Sequence, residues 1–184
     1  MKYIYRTIAI TGLLTTISAC QTTQQPEVAL NFKEGETLQA LVNVHGDMSR
    51  GKFYALNYQL PSMIPICDEI VVNSIDEDVI NISYKETKYN YLWDGHTKKA
   101  GQSLAENFDL YFGKQCDKAA VEKLSVNDKK GIEQGIAKIG MSKQGVKFAM
   151  GYPPLHATPS MESDTWIYWR NRWGKRAIEF SNDG

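Results

Sequence analysis

The sequence predicts an α+β protein: an N-terminal antiparallel β module of about five strands plus a helix, then a small helix-helix-hairpin domain. Three observations predict it. From Phe32 to Asp94 apolar and polar residues alternate with period two between short polar turns. Ser103 to Gly113 carries a helical apolar stripe. After Gly140 a capped helix stops at Gly151 and Pro153-Pro154, and an aromatic hairpin follows. The 184 residues hold 21 Lys+Arg and 21 Asp+Glu. That balance excludes a strongly basic nucleic-acid footprint and an acidic solvating tail, and one long apolar stretch is too few for a multi-pass membrane protein.

The apolar stretch is the leader. Lys2 and Arg6 precede Thr7–Ala19, which contains no charge. A helix of that length spans under ~20 Å at ~1.5 Å per residue, short of a ~30 Å hydrocarbon core. A basic start, a short apolar centre and small residues before a cleavage point describe an export signal. Ile17-Ser18-Ala19-Cys20 resembles the lipobox of bacterial lipoproteins. The resemblance implies a signal peptide over 1–19, a thioether-linked diacylglycerol on Cys20, and an N-acyl chain (palmitate or similar) on the new amino terminus. Gln21, in place of the Asp that retains many such proteins in the inner membrane, implies outer-membrane sorting facing the periplasm. The competing reading is an ordinary signal peptide that happens to contain a cysteine. No other cofactor is expected. Loss of Lys2 and Arg6 leaves a slightly acidic mature chain, so attachment rests on the acyl chains. Residues 20–30, rich in Thr and Gln, read as a tether.

Residues 31–118 form the β-rich module. Leu38, Ala40, Val42 and Val44 alternate with Gln39 and Asn43, and His45-Gly46-Asp47 is expected to break the chain. Phe53–Gln59, Ile66–Ile75, Val79–Tyr84 and Lys88–Trp93 supply the other strands, with Asp76-Glu77-Asp78 and Lys85-Glu86-Thr87 as hairpin connections. Ser103 and Glu106 have capping-box spacing, Leu104, Phe108, Tyr111 and Phe112 make the helical stripe, and Gly113 suits a left-handed stop. With Cys20 lipidated, Cys67 and Cys116 are the remaining thiols of an exported protein, which predicts a disulfide between them. Closing that loop stabilises by about 4 kcal/mol in the chain-entropy model. The competing reading is a catalytic cysteine paired with His45, His96 or His156. Residues 119–130, mixing Lys with Glu and Asp, read as a solvated, partly helical connector.

In residues 131–184, Ser142 suits an N-cap, with Met141 and Val146 spaced as a hydrophobic staple. Thr165–Arg170 and Arg176–Phe180 read as the hairpin strands. Ile139, Gly140-Met141-Ser142, Val146, Gly151-Tyr152-Pro153, Trp166-Ile167-Tyr168 and Ile178-Glu179-Phe180 resemble the pattern of the BamE (SmpA/OmlA) family of outer-membrane lipoprotein domains. The resemblance covers about a quarter of the mature chain. It implies a BamE-like domain and a non-catalytic helper of outer-membrane assembly or integrity, with the barrel-assembly machinery as a partner. Two positions depart from the pattern. Gly145 stands at the third helical position, where an acidic or amide side chain would complete a capping box, at a cost of roughly 1 kcal/mol against Ala. The chain stops at Asn182-Asp183-Gly184, where the family has a third strand, and is read as truncated there.

Trp169, Arg170, Arg172 and Trp173 are the candidate protein-binding residues, because aromatics and Arg crowd this hairpin as they do interfaces. Trp166 and Tyr168 are expected in the core. The alternative function is a periplasmic ligand-binding or inhibitor module using the Tyr89-Tyr91-Trp93 face. Chemistry finds little support: no metal-ligand spacing links His45, His96 and His156, no nucleophile or phosphate-loop motif is present, and Asp68-Glu69 point to opposite faces of a strand. A non-enzymatic, metal-free protein is expected.

Overall fold

The computed structural model describes residues 30–93, 95 and 102–181. The segment expected to be a signal peptide, Cys20 and nearly all of the expected tether lie outside the described residues, as do Asp94, His96 and Asn182-Asp183-Gly184.

Eight strands form one sheet curled into a half-barrel. They are β1 (Thr37–Ala40), β2 (Val44–Asp47), β3 (Lys52–Tyr54), β4 (Ser62–Ile64), β5 (Glu69–Ile75), β6 (Val79–Tyr84), β7 (Thr87–Leu92) and β8 (Phe112–Gly113). Their order is β4-β2-β3-β7-β6-β5-β1-β8, antiparallel throughout except for the parallel pair β3–β7. The β6–β7 hairpin follows from local chemistry. Ile80, Ile82, Tyr84, Tyr89 and Tyr91 alternate inward, and Lys85 and Glu86 both take positive φ (47° and 65°), as a two-residue type I′ turn requires.

The five-strand expectation is thereby corrected to eight, for three reasons. The run Leu38–Val44 is not one strand: it breaks at 41–43 and continues as β2. His45-Gly46-Asp47 is not a turn but most of β2. Gly46 is needed there because a Cβ would overlap the Phe53 ring across the β2–β3 pair. Finally, β4 and β8 have three and two residues, too few for alternation to show.

Helix α1 (Leu104–Tyr111) begins with the predicted capping box: Glu106 N donates to Ser103 Oγ at 3.2 Å, and Ser103 N to Glu106 Oε2 at 2.7 Å. Phe108 packs among Phe32, Tyr91 and Phe112, closing the sheet. Gly113 does not make the expected left-handed stop. Phe112 is extended (φ −132°), so the helix runs directly into β8, which pairs with β1. Cys116 follows and is bonded to Cys67, with Cα atoms 5.2 Å apart. Both cysteines also hold β1: Cys67 N donates to Ala40 O at 2.7 Å and Cys116 N to Gln39 Oε1 at 2.9 Å.

The separate BamE-like helix-helix-hairpin domain is overturned. Short α2 (Lys118–Glu122), α3 (Val126–Gln134), α4 (Lys143–Met150) and the hairpin β9 (Thr165–Trp169)–β10 (Lys175–Glu179) are present, but they close over the large sheet. Met141, Val146, Phe148, Met150, Trp166 and Tyr168 belong to the same core cluster as Val44, Phe53, Ile64 and Ile80. A half-barrel of eight strands with four helices among the described residues is a different architecture from a small helical-hairpin domain.

Buried polar side chains make that union specific. Asn43 Nδ2 donates to Ile132 O (2.7 Å) and Ala149 O (3.1 Å), at the ends of α3 and α4, while its Oδ1 accepts from Ile66 N (2.8 Å). Asn57 Nδ2 donates to Met150 O (2.6 Å) and its Oδ1 accepts from His45 N (3.0 Å). Asp128 caps two helices. Its Oδ2 accepts from Ser125 at the start of α3, and its Oδ1 accepts from Ser142 N (2.8 Å) at the start of α4. The capping box missing at Gly145 is therefore completed by a carboxylate from the neighbouring helix. Gly145 is what makes room, since a Cβ there would overlap the Asp128 side chain.

Candidate functional site

The hairpin β9–β10 divides its side chains strictly. Trp166 (2% exposed) and Tyr168 (0%) face the core as expected, with Trp166 Nε1 donating to Met161 O and Tyr168 Oη to Gly151 O at 2.9 Å. Burial pushes the Tyr168 phenol well above its ordinary range. Ile167 and Trp169 alternate to the other face. Between the strands, Asn171 Oδ1 accepts from Trp173 N and Gly174 N, both at 2.9 Å. This side-chain-to-backbone turn sets the tip and leaves Arg172 and Trp173 projecting. Trp173 is 85% exposed, the largest exposed aromatic surface of the described residues.

Trp169 is half-buried. The Lys175 ammonium lies 4.4 Å from its ring centroid, the His156 ring 6.0 Å away, and its buried Nε1–H has no hydrogen-bond partner among the described residues. Arg170, Arg172, Lys175 and Arg176 place four cations within seven residues that hold no acid. None of the four is ion-paired with a described acidic residue. Arg172 and Trp173 line a groove of about 420 Å³ together with Asp47, Arg50, Tyr54 and Tyr58. Tyr54 and Tyr58 meet edge-on at 5.2 Å. The Ser49 hydroxyl, with Arg50 N and the Arg50 guanidinium 3.5 Å away, holds the Asp47 carboxyl below the usual range. The groove thus joins aromatic side chains to the Arg50–Asp47 pair and to Arg172, which is ion-paired with no described acidic residue, a composition suited to binding.

Of the four predicted residues, Arg172 and Trp173 line this groove, whereas Arg170 lines a separate pocket of about 200 Å³ with Arg176 and His45, and Trp169 lines neither. The structure also adds residues the sequence did not single out. Lys175 and Arg176 could have been found by counting cations around the turn. Tyr54 and Tyr58 could not, because only the tertiary fold carries the β3–β4 segment to the hairpin.

The other candidates lie elsewhere. Tyr89 (6% exposed), Tyr91 (0%) and Trp93 (9%) are core, so the ligand-stacking face proposed for them is turned inward. His45 is buried, with Nδ1 3.0 Å from Leu60 O and Nε2 3.0 Å from Ala149 O, so backbone carbonyls occupy both ring nitrogens. Asp68 accepts from Tyr84 Oη at 2.6 Å and lies 3.5 Å from Lys85 Nζ, while Glu69 accepts from Gln39. Among the described residues no three His, Cys, Asp or Glu are grouped to hold a metal ion, and no helix is long and apolar enough to cross a membrane. Compared with known proteins, the chain matches no family model, no curated protein and no solved structure.

Proposed function

We propose that this is a non-enzymatic, lipid-anchored envelope protein that aids outer-membrane assembly or integrity by contacting another envelope protein through the Trp169–Arg176 hairpin. The observation that carries the reading is the hairpin tip. Trp173 keeps most of its apolar surface in water beside four cations that pair with no described acidic residue, the aromatic-plus-Arg composition that binding hot spots show. The lipobox at Cys20 and the Gly140-Met141-Ser142 to Phe180 motif support the same compartment and class of role, although the motif does not carry its family's fold here. Tethering raises the effective concentration of the hairpin near any membrane-resident partner, so modest contacts suffice. Asp47 and the groove tyrosines line the same groove as Arg172 and Trp173, and a segment of the partner can lie there.

The test is crosslinking in the native envelope with wild-type protein and with Trp173→Ala/Arg172→Ala. Recovery of outer-membrane assembly components by the wild type, lost in the variant, supports the reading. If nothing is captured, and deletion leaves outer-membrane protein levels and resistance to large antibiotics unchanged, the assembly role is refuted. Intact mass of the membrane form should show cleavage before Cys20 and acyl chains on it.

A further inference from the structure

Among the described residues strand β10 pairs with β9 alone, and no described backbone group bonds to its other edge. The two edges of the hairpin are treated differently, for the backbone of β9 is met on its far side by Gln59 N, which donates to Trp169 O at 2.9 Å. Arg170 N donates to Gly174 O and Phe180 N to Asp164 O, both at 2.8 Å. In an antiparallel pair this makes residues 174, 176, 178 and 180 the partners of β9, so Lys175, Ala177 and Glu179 turn their N–H and C=O groups outward.

Exposed edges are commonly guarded by charge, which repels a second strand when the charges share one sign. Here the signs are opposite and symmetric. Lys175 and Glu179 lie two residues either side of Ala177, all three exposed and on one face. We infer that the β10 edge pairs with the β10 edge of a second copy of this chain, about a two-fold axis at Ala177. A two-fold axis through an antiparallel pair must set a residue opposite itself. Centred on Ala177, the outward-pointing groups meet each other, and each Lys175 stands directly opposite Glu179 of the second copy. Centring on Arg176 or Ile178 instead sets Lys175 or Glu179 against Ala177 and forms neither charge pair.

The flank of this edge is apolar. Ile139 is fully exposed on the loop facing β10, across a cleft of about 350 Å³ that Met141, Ile178 and Phe180 also line. A second strand laid along β10 covers that cleft. This interface does not use the groove lined by Arg172 and Trp173, but it shares Lys175, which lies over the Trp169 ring, with the hairpin's cation cluster.

Ala177→Cys in the full chain, treated with a short bis-maleimide, should give a covalent dimer of twice the chain's mass. Ile167→Cys should not, because residue 167 lies one strand inward and about 14 Å from its copy across the axis. Lys175→Glu alone and Glu179→Lys alone should each weaken dimerisation roughly tenfold, since both charge pairs become repulsive. Mixing the two single variants should restore it as a heterodimer, which no effect on folding of either chain would do. Self-pairing would be overturned by a monomer at all concentrations, by equal crosslinking at positions 167 and 177, or by charge variants without effect. It would equally be overturned if the Ala177→Cys chain crosslinked to a different protein instead of to its own copy.

Discussion

Around Asn43, amide and carboxylate groups are almost fully occupied: Asn43 makes three hydrogen bonds from its side chain, Asn57 two, and Asp128 accepts from two helix starts. Around Arg172 the opposite holds. Four cations and an exposed Trp have no acidic partner among the described residues. The two regions lie within one compact fold and use similar polar chemistry, but in the first the polar groups define how the helices seat on the sheet, and in the second they are left over. Substitutions should therefore cost stability in the first and binding in the second.

The largest expected effect comes from the phenols packed beside the first region. Burial holds Tyr91, Tyr111 and Tyr168 well above the ordinary value of 10.0, so they stay protonated in the fold while the unfolded chain ionises. The stability they contribute is fully present below pH 10 and is lost as pH rises beyond it, at about 1.4 kcal/mol per tyrosine per pH unit. Urea midpoints should stay level to about pH 10 and then fall steeply; phenolate absorbance that titrates completely before unfolding would contradict this.

Next, Asn43→Ala should cost about 3 kcal/mol, because it removes three hydrogen bonds, two of them to the buried Ile132 and Ala149 carbonyls. Equilibrium unfolding measures it, and a loss below about 1 kcal/mol would mean that the junction is not set by this amide. Gly145→Ala should reverse the usual sign. An exposed helical Gly gains roughly 1 kcal/mol on becoming Ala, whereas here the new Cβ displaces the Asp128 carboxylate and should cost about 2 kcal/mol. A stabilised variant would show that Asp128 is free to move. Smallest of all, Trp173→Ala/Arg172→Ala should change stability by less than about 0.5 kcal/mol while abolishing capture of the partner. A large loss of stability would make the hairpin tip part of the first region after all.

Elements that carry their instructions locally were legible. Ser103/Glu106 and Ser142 start their helices where expected, Gly151 ends α4, and the β6–β7 and β9–β10 hairpins stand within a residue or two of their predicted bounds. Each is decided by side chains within about four positions, so sequence spacing suffices. Asn43 illustrates the opposite case. Its alternation in the run from Leu38 marked it as outward-facing, yet it is 1% exposed because the chain turns inward there to meet the ends of α3 and α4.

By itself the sequence determined the capped helices, the aromatic hairpin, the inward Trp166 and Tyr168, and, once Cys20 is read as the lipobox cysteine, the Cys67–Cys116 bridge, all consequences of near-neighbour chemistry or of the small number of thiols. Tertiary structure alone decided that the strands number eight, that His45-Gly46-Asp47 is a strand, and that Asp128 rather than a residue of α4 completes the cap at Ser142. It also brought Tyr54 and Tyr58 to the hairpin. Those outcomes depend on which distant surfaces meet. Strands of two to four residues and single buried polar groups take their conformation from that meeting, because too few of their own neighbours specify it.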